Sequence, residues 1–176
     1  EKLVESGHAY YCFCTKSEDS SEDTANGLAS ANRCPCRDLD PAEAKKRHDA
    51  GESCVIRQKI PNEGTTTFHD EIYGDITVEN TDLDDQVLLK SDGMPTYNFA
   101  NVVDDHTMGI THVVRGNEYL SSAAKYNLLY SAFGWEPPVY IHVERIMRDA
   151  THKLSKRDGD ASFEDFLSLI HISEPT

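Results

Sequence analysis

The sequence contains no long apolar run, and its first residues lack the features of a signal peptide. No segment approaches the ~20 consecutive apolar residues that a transmembrane helix needs. Residues 1–7 begin with Glu1 in place of a start Met, and they contain neither the cationic nor the apolar region of a secretory leader. We therefore expect a protein of the cytoplasm that makes no membrane contact.

Positive charge is also scarce. Lysine and arginine number 17 against 31 aspartate and glutamate residues, which gives a net charge of −14. A general polyanion binder needs surplus Lys and Arg to neutralise phosphates, so this composition argues against that class. The charge is uneven, because residues 17–23 and 79–85 are acidic whereas residues 153–157 are basic. Any contact with nucleic acid should therefore be local.

Cysteine is infrequent but patterned. Four of the five cysteines form two C-x-C pairs, Cys12 with Cys14 and Cys34 with Cys36, while Cys54 stands alone. Because disulfides are disfavoured in the cytosol, such pairs indicate metal ligands, and four thiolates complete a tetrahedral structural zinc site. The alternative is four reduced, metal-free thiols. Cys54 lies in an apolar segment and is interpreted as a buried small hydrophobe.

The order of the sequence patterns predicts an α/β fold. In the first half, Asp40 and Pro41 begin a short helix that ends before Gly51. Residues 53–60 predict a strand, and residues 65–78 predict further β-structure with one interruption. The first half is therefore expected to be rich in β-structure with helical edges.

The hydrophobic period changes in the second half. Residues 87–89 predict a short strand, residues 97–108 a helix, residues 111–115 a strand and residues 121–133 a second helix. An extended segment is predicted from residue 139 onward. Strand, helix, strand, helix in this order is typical of a parallel-sheet unit.

One basic loop suits phosphate chemistry. Lys153 and Lys156 stand three residues apart in the run KLSKR, and two such ammonium groups can surround a triphosphate during nucleotidyl transfer. By itself this pentapeptide is a weak signal, because most lysine-rich turns are solvated surface.

Three separate sequence motifs, taken together, indicate a family more specifically than any one of them does. The sequence reads LLKSDGMPTYNFANVVDDH at residues 88–106, HVVRGNE at residues 112–118 and KLSKR at residues 153–157. All three resemble glutamyl-tRNA synthetases, and the last resembles the K-M-S-K-S motif of class I aminoacyl-tRNA synthetases. The resemblance covers residues 1–167 in order. It implies an internal piece of the catalytic region, with the second half of a Rossmann-like fold.

The resemblance implies a glutamate site. Tyr97 and Arg115 would bind the side-chain carboxylate of glutamate, for which a guanidinium offers a bidentate grip, and Asn101 would contact the backbone groups of the amino acid. The structural alternatives remain open. Tyr97 and Asn101 share a helical face and could simply pack, and Arg115 could form an ion pair with Asp104 or Asp105.

The resemblance also implies an ATP site, with Mg²⁺ as the accompanying ion. Glu118 and Tyr119 would lie beside the ribose and base, and Lys153 and Lys156 would act on the phosphates during catalysis. An H-x-G-H motif, which grips ATP in class I synthetases, is absent from this sequence, and residues 8–11 do not replace it. The chain would therefore hold half of a split nucleotide site and would be inactive alone.

The resemblance extends to the two cysteine pairs. Many glutamyl-tRNA synthetases carry a zinc site in the insertion that approaches the tRNA acceptor end, and others lack it. In some members the last ligand is His, where this sequence has Cys36. Zn²⁺ held by Cys12, Cys14, Cys34 and Cys36 would be structural, because four protein ligands leave no open position.

These inferences divide the chain into four parts. Residues 1–92 form the acceptor-end insertion with its zinc knuckle, residues 93–140 the second half of the catalytic domain, and residues 141–166 the lysine loop and the start of a stem-contact region. Residues 167–176 resemble the translation of a sequencing adaptor and are interpreted as a non-native tail.

The predicted activity is ATP-dependent glutamylation of the tRNA acceptor end, with glutamate, ATP and the glutamate-accepting tRNA as partners of a monomeric parent enzyme. Two alternatives remain open: a truncated paralogue that glutamylates a modified base of an aspartate tRNA, and a zinc-stabilised tRNA-binding module without chemistry. Glutaminyl-tRNA synthetase is a weaker alternative.

Overall fold

The computed structural model describes residues 1–14 and 33–144. The helices within these ranges are α1 (Lys2–Glu5), α2 (Pro41–Asp49), α3 (Tyr97–Thr107) and α4 (Leu120–Phe133). The strands are β1 (Ala9–Cys12), β2 (Val55–Gln58), β3 (Thr65–Asp70), β4 (Gly74–Glu79), β5 (Val87–Leu89), β6 (His112–Gly116) and β7 (Val139–Val143). Short 3-10 helices lie at Pro35–Asp38, Asn80–Asp82 and Asn117–Tyr119.

The strands form two sheets. The smaller is antiparallel with the order β1-β2-β5, and the larger is mixed with the order β4-β3-β7-β6. In the larger sheet β3 and β4 form an antiparallel hairpin, whereas β7 runs parallel to both β3 and β6. The fold is therefore mixed α/β, as the sequence predicts.

Local sequence signals account for the ends of α2. The side chain of Asp40 accepts a hydrogen bond from the backbone N–H of Ala42 at 3.2 Å, and Pro41 occupies the first turn, where its missing N–H costs nothing. Gly51 follows the helix with φ of +82°, a left-handed conformation that favours glycine. The predicted helix limits are confirmed here.

Helix α4 contributes to both hydrophobic cores. Tyr126, Leu129 and Tyr130 pack with Leu88 and Val102 in a cluster beneath α1, α3 and the small sheet. The same helix turns two small residues, Ala123 and Ala124, toward a second cluster formed by Ile60, Phe68, Leu83 and Tyr140. Because it is apolar on more than one side, α4 lies between the two sheets.

The parallel unit begins later than the sequence order predicts. The prediction counted residues 87–89 as its first strand, but β5 pairs with β2 in the small antiparallel sheet. The parallel unit is therefore β6-α4-β7. The reason is non-local: β2 presents a free edge to β5, and a three-residue strand contains no signal for its partner.

The mixed sheet also joins the two halves of the sequence. Strands β3 and β4 come before residue 92, and β6 and β7 come after residue 93, yet all four share one hydrogen-bonded sheet. The four sequence divisions stay predictions, but the first two are continuous in this sheet. Within residues 1–14 and 33–144, no helix is long and apolar enough to cross a membrane.

Candidate functional site

The central feature of the site is Arg115, which lies near the carboxyl end of β6. Its register partner on the parallel strand β7 is His142. Gly116 ends the strand, a 3-10 turn at Asn117–Tyr119 follows, and α4 begins at Leu120. Ligands of open α/β sheets bind where parallel strands end and helices begin, so Arg115 occupies a favourable position for binding.

Three tyrosine rings and one imidazole surround the guanidinium of Arg115. Its central carbon lies 4.9 Å from the ring centroid of Tyr126, 5.2 Å from that of Tyr119 and 5.6 Å from that of Tyr140. Its Nε donates a hydrogen bond to Nε2 of His142 at 3.0 Å. All of these neighbours can stabilise a cation without neutralising it.

The tyrosines contribute no negative charge. Burial raises the pKa of Tyr126, it raises the pKa of Tyr130 to about 12, and it also raises the pKa of Tyr140. The phenols of Tyr126, Tyr130 and Tyr140 therefore stay protonated at neutral pH. The positive charge of Arg115 is held in a largely uncharged surrounding.

The alternative of an ion pair with Asp104 or Asp105 is not realised. Among the described residues, neither carboxylate forms an ion pair with Arg115. Burial raises the pKa of Asp105 while the charge of Arg115 lowers it, so the two groups influence each other without contact. Arg115 is thus available for an anion from outside this part of the chain.

Several buried polar atoms near Arg115 lack a partner within residues 1–14 and 33–144. They are Nη2 of Arg115, Oδ1 of Asn101 and the hydroxyl groups of Tyr130 and Tyr140. Buried polar atoms are normally hydrogen-bonded, and leaving one unpaired costs about 1–3 kcal/mol. Nη2 and the two hydroxyl groups can donate to an anion, whereas Oδ1 of Asn101 can only accept, so this group of atoms suits a polar ligand that carries both a negative charge and a hydrogen-bond donor.

Helix α3 brings further predicted residues to the same place. Tyr97 is 61% exposed at the start of the helix, and its ring centroid lies 5.9 Å from that of Tyr119. Asn101 follows one turn later, and its neighbour Asn98 accepts a hydrogen bond at Oδ1 from the hydroxyl of Tyr126 at 2.7 Å. Glu118 is exposed in the 3-10 turn, with its carboxylate over Gly116. The structure thus gathers Tyr97, Asn101, Arg115, Glu118 and Tyr119.

Sequence reasoning missed the residues that surround Arg115 from the sheet and from α4. Tyr140 and His142 alternate on the buried face of β7, and Asp70 ends β3 beside them. The only sequence signal was a histidine on the buried face of an alternating strand. Its partner could not be inferred, because the pairing of β6 with β7 connects residues far apart in the chain.

Asp70 and His142 form a buried pair. Both side chains are 0% exposed, and Nδ1 of His142 lies 2.6 Å from Oδ2 of Asp70. The same oxygen accepts the backbone N–H of His142, and Oδ1 accepts those of Ile72 and Tyr73. Burial raises the pKa of Asp70, but these hydrogen bonds outweigh it and hold the pKa below its usual value.

The four cysteines of the two C-x-C pairs form a separate candidate metal centre. All four sulfurs lie within 4.8 Å of one another, and no disulfide joins them. The Sγ atoms of Cys12 and Cys34 are 3.3 Å apart, those of Cys14 and Cys34 3.1 Å, and those of Cys14 and Cys36 3.6 Å. Burial and the hydrogen bond with Cys14 raise the pKa of Cys34.

A tetrahedral zinc site fits this arrangement. Zn–S bonds of about 2.3 Å in a tetrahedron separate the sulfurs by roughly 3.8 Å, so the three closest sulfur pairs need to open by about 0.2 to 0.7 Å. Four neighbouring thiolates would repel one another without a cation. Cys54 lies outside the cluster and is half-buried, as a packing residue would be.

A buried ion pair anchors the cysteine cluster to the small sheet. Arg37, one residue after Cys36, donates from Nη1 to both carboxylate oxygens of Asp85 at 2.8 and 2.6 Å. Asp85 is 0% exposed and also accepts from the hydroxyl of Tyr10 and the backbone N–H of Ile60. No sequence pattern indicated that either charge is buried.

Two predicted residues, Lys153 and Lys156, lie outside the described ranges. The predicted lysine loop therefore stays a prediction, as do the extended segment beyond Glu144 and the tail at residues 167–176.

The chain is similar to known proteins over nearly its whole length. The family model "tRNA synthetases class I (E and Q), catalytic domain" matches residues 1–168. A glutamate–tRNA ligase of Clostridium botulinum is 58% identical over 177 residues, and one of Clostridium novyi is 58% identical over 175 residues. Each match covers 99% of this chain and 36% of the relative. The chain thus spans about a third of the length of these relatives.

Solved structures show the same similarity. A glutamate tRNA ligase from Elizabethkingia meningosepticum, in complex with its amino acid, matches with a TM-score of 0.77 and 40% identity. That match covers 91% of this chain and 34% of the solved one. A glutamate-tRNA synthetase from Elizabethkingia anophelis gives the same values.

Proposed function

The chain belongs to the family of class I tRNA synthetase catalytic domains for E and Q, and we propose that the full protein is a glutamate–tRNA ligase. This chain would supply the internal part of its catalytic region. The observation that carries the proposal is the half-buried guanidinium of Arg115, whose buried Nη2 has no partner among the described residues. A glutamate side chain would provide the missing carboxylate.

The reaction proceeds in two steps. The α-carboxylate of glutamate attacks the α-phosphate of ATP, which forms glutamyl-adenylate and releases pyrophosphate. A hydroxyl group at the tRNA acceptor end then attacks the activated carbonyl and releases AMP. Such chemistry depends on positioning and on cations near the phosphates, which Mg²⁺ and the lysine loop would supply.

Each residue of the site has a role in this proposal. Arg115 and Tyr97 bind the side-chain carboxylate, and Asn101 contacts the backbone groups of glutamate. Glu118 and Tyr119, in the turn before α4, lie beside the ATP ribose and base. Their placement around one strand end supports this division of roles. Lys153 and Lys156 act on the phosphates.

The cysteine cluster has a structural role in the proposal. Cys12, Cys14, Cys34 and Cys36 hold Zn²⁺ and thereby fix the part of the chain that approaches the tRNA acceptor end. The ion pair between Arg37 and Asp85 links the cysteine cluster to the small sheet. Because four thiolates fill the coordination sphere, the ion takes no part in the reaction.

The protein is proposed to act in the cytoplasm as a monomer. The names of the curated relatives favour glutamate–tRNA ligase over the truncated paralogue and over a tRNA-binding module without chemistry. Sequencing the source DNA through both ends of the reading frame tests the setting. An upstream H-x-G-H motif and a downstream helical region in place of residues 167–176 would support the full ligase and the adaptor tail.

The activity is tested by glutamate-dependent ATP–pyrophosphate exchange with the full-length enzyme. Arg115→Ala should abolish exchange at millimolar glutamate, because the carboxylate loses its charged partner. The matched control is Arg47→Ala, since Arg47 pairs with Glu52 on the surface away from the site. Exchange that survives Arg115→Ala at an unchanged glutamate KM would contradict the assignment. We expect the 176-residue chain alone to show no exchange.

A further inference from the structure

The side chains of Asp70, His142 and Arg115 form one continuous hydrogen-bonded row. Asp70 comes from the end of β3, His142 from β7 and Arg115 from β6, so three neighbouring strands each contribute one member. Nδ1 of His142 lies 2.6 Å from Oδ2 of Asp70, and Nε of Arg115 lies 3.0 Å from Nε2 of His142. The row ends at Nη2 of Arg115, which is buried and has no partner among the described residues.

The direction of these hydrogen bonds fixes the imidazole tautomer. A guanidinium nitrogen can only donate, so Nε2 of His142 must accept and carries no proton. Nδ1 then carries the proton and donates it to Asp70. The low pKa of Asp70 keeps that carboxylate charged, and two backbone N–H groups on its other oxygen hold its orientation.

In this row the imidazole of His142 lies between the negative charge of Asp70 and the positive charge of Arg115. A carboxylate in direct contact with Arg115 would occupy the guanidinium and compete with a carboxylate ligand. The imidazole instead uses the single Nε–H donor and leaves the Nη edge free. Because Asp70 and His142 are both 0% exposed, water does not disturb the arrangement.

We propose that Asp70 and His142 are positioning residues for substrate recognition: through the Nδ1–H tautomer of His142 they aim the Nη edge of Arg115 at the side-chain carboxylate of the amino acid. This inference rests on the proposed function. It assigns the choice of an acidic side chain over its amide to three residues on three strands. Of these three, only Arg115 contacts the substrate.

Asp70→Asn in the full-length enzyme tests the inference. The introduced amide nitrogen would donate to Nδ1 of His142 and favour the opposite tautomer, so that an N–H on Nε2 would face the N–H of Arg115. We expect the KM for glutamate to rise about tenfold, in line with the loss of one charge-assisted hydrogen bond. The KM for ATP should stay within about twofold, because the proposed ATP site uses Glu118 and Tyr119 and not the Nη edge of Arg115.

A selectivity measurement separates this effect from general damage. The ratio of kcat/KM for glutamate to that for glutamine should fall about tenfold in Asp70→Asn, because only glutamate carries the charge that Arg115 recognises. The control is Asp75→Asn, an exposed carboxylate on the same hairpin that pairs with His69. It should leave both quantities unchanged.

The outcomes distinguish a failure of this inference from a failure of the proposed function. A wild-type enzyme without glutamate-dependent exchange would overturn the proposed function. An active wild type with an unchanged glutamate KM and selectivity in Asp70→Asn would overturn the inference alone.

A second measurement applies even if Asp70→Asn does not fold. In wild-type full-length enzyme labelled with ¹⁵N-histidine, His142 should show a protonated Nδ1 and an unprotonated Nε2 at neutral pH. His142→Gln should retain more glutamate selectivity than His142→Ala, because its amide oxygen can still accept from Nε of Arg115. A proton on Nε2, or equal selectivity in the two variants, would refute the positioning role.

Discussion

Arg37 and Arg115 both place guanidinium atoms out of water, but their surroundings differ in what balances the charge. Arg37 is 6% exposed and meets both oxygens of the buried carboxylate of Asp85. Arg115 meets an imidazole nitrogen and three tyrosine rings, and its Nη2 has no partner among the described residues. The charge of Arg37 is balanced within the fold, whereas the charge of Arg115 needs an anion from outside the described residues. This contrast separates an arginine whose charge is balanced by the fold from one that we propose binds a ligand.

The cysteine cluster has the opposite requirement to Arg115, because it needs a positively charged ligand. Four sulfurs within 4.8 Å of one another would form a concentrated negative charge as thiolates, and they need a cation. The molecule thus has one site suited to a metal ion and another suited to a carboxylate, with the Arg37–Asp85 pair next to the former. Four predictions test this comparison, in order of decreasing effect.

The largest effect should follow from disruption of the metal centre. Cys34→Ser removes the thiol that contacts both Cys12 and Cys14, so the zinc that we propose binds this cluster should be lost from the purified protein. Structural zinc binding is worth on the order of 10 kcal/mol, so the small sheet should also lose stability. Metal content by mass spectrometry, with thermal unfolding before and after chelation, measures both effects.

Cys54→Ser is the control for this prediction, because Cys54 lies outside the cluster. It should retain the zinc. Equal zinc content in Cys34→Ser and the wild type would contradict the four-thiolate site.

The second prediction concerns the region around Arg37, where the buried charge is balanced by Asp85. Asp85→Ala leaves the buried guanidinium of Arg37 unpaired and should lower the free energy of unfolding by about 3–5 kcal/mol. The neighbouring Asp84 provides a matched control, since its carboxylate is 54% exposed and pairs with Lys125. Asp84→Ala should cost less than about 1 kcal/mol. Urea unfolding compares the two, and equal losses would refute the difference between the sites.

The third prediction sharpens the contrast between the two arginines. Arg115→Lys keeps the charge but loses the planar donor fork, so the glutamate KM of the full-length enzyme should rise about ten- to hundredfold. Its melting temperature should change little. Arg37→Lys should do the reverse, with a lower melting temperature and an unchanged glutamate KM. A similar pattern in both variants would mean that Arg115 is structural too.

The smallest effect concerns an exposed pair. Nδ1 of His69 lies 2.6 Å from Oδ1 of Asp75, and this hydrogen bond raises the pKa of His69 above 6.5. A raised histidine pKa adds stability that is fully present below the unfolded pKa and is lost as the pH rises through the folded pKa. Asp75→Asn should return the pKa of His69 toward its usual value in an NMR titration. An unchanged pKa would show that the pair is not formed in solution.

Much of the local structure could be predicted from the sequence. Asp40, Pro41 and Gly51 set the limits of α2, and the predicted helix at residues 97–108 differs from α3 by one residue. These features depend on neighbouring residues only. The clustering of the two C-x-C pairs could likewise be predicted, because their shared spacing marked them as one set before any contact was known.

The features that depend on pairing between distant residues could not be predicted from the sequence. The sequence assigned β5 to the parallel unit, whereas its edge pairs with β2. It offered two acidic partners for Arg115, whereas the actual partner is His142, 27 residues away on a parallel strand. Neither the burial of Asp70 nor that of Arg37 has a local signal, because each charge is balanced by a residue distant in the chain.

The sequence by itself therefore determined the family, the helices and the chemical types of the site residues. Those properties are carried by short motifs and by the periodicity of apolar side chains. Only the tertiary structure decided which charges are satisfied and which are available. That distinction depends on the register of β3, β7 and β6, since a shift of one residue along any of these strands would separate Asp70, His142 and Arg115.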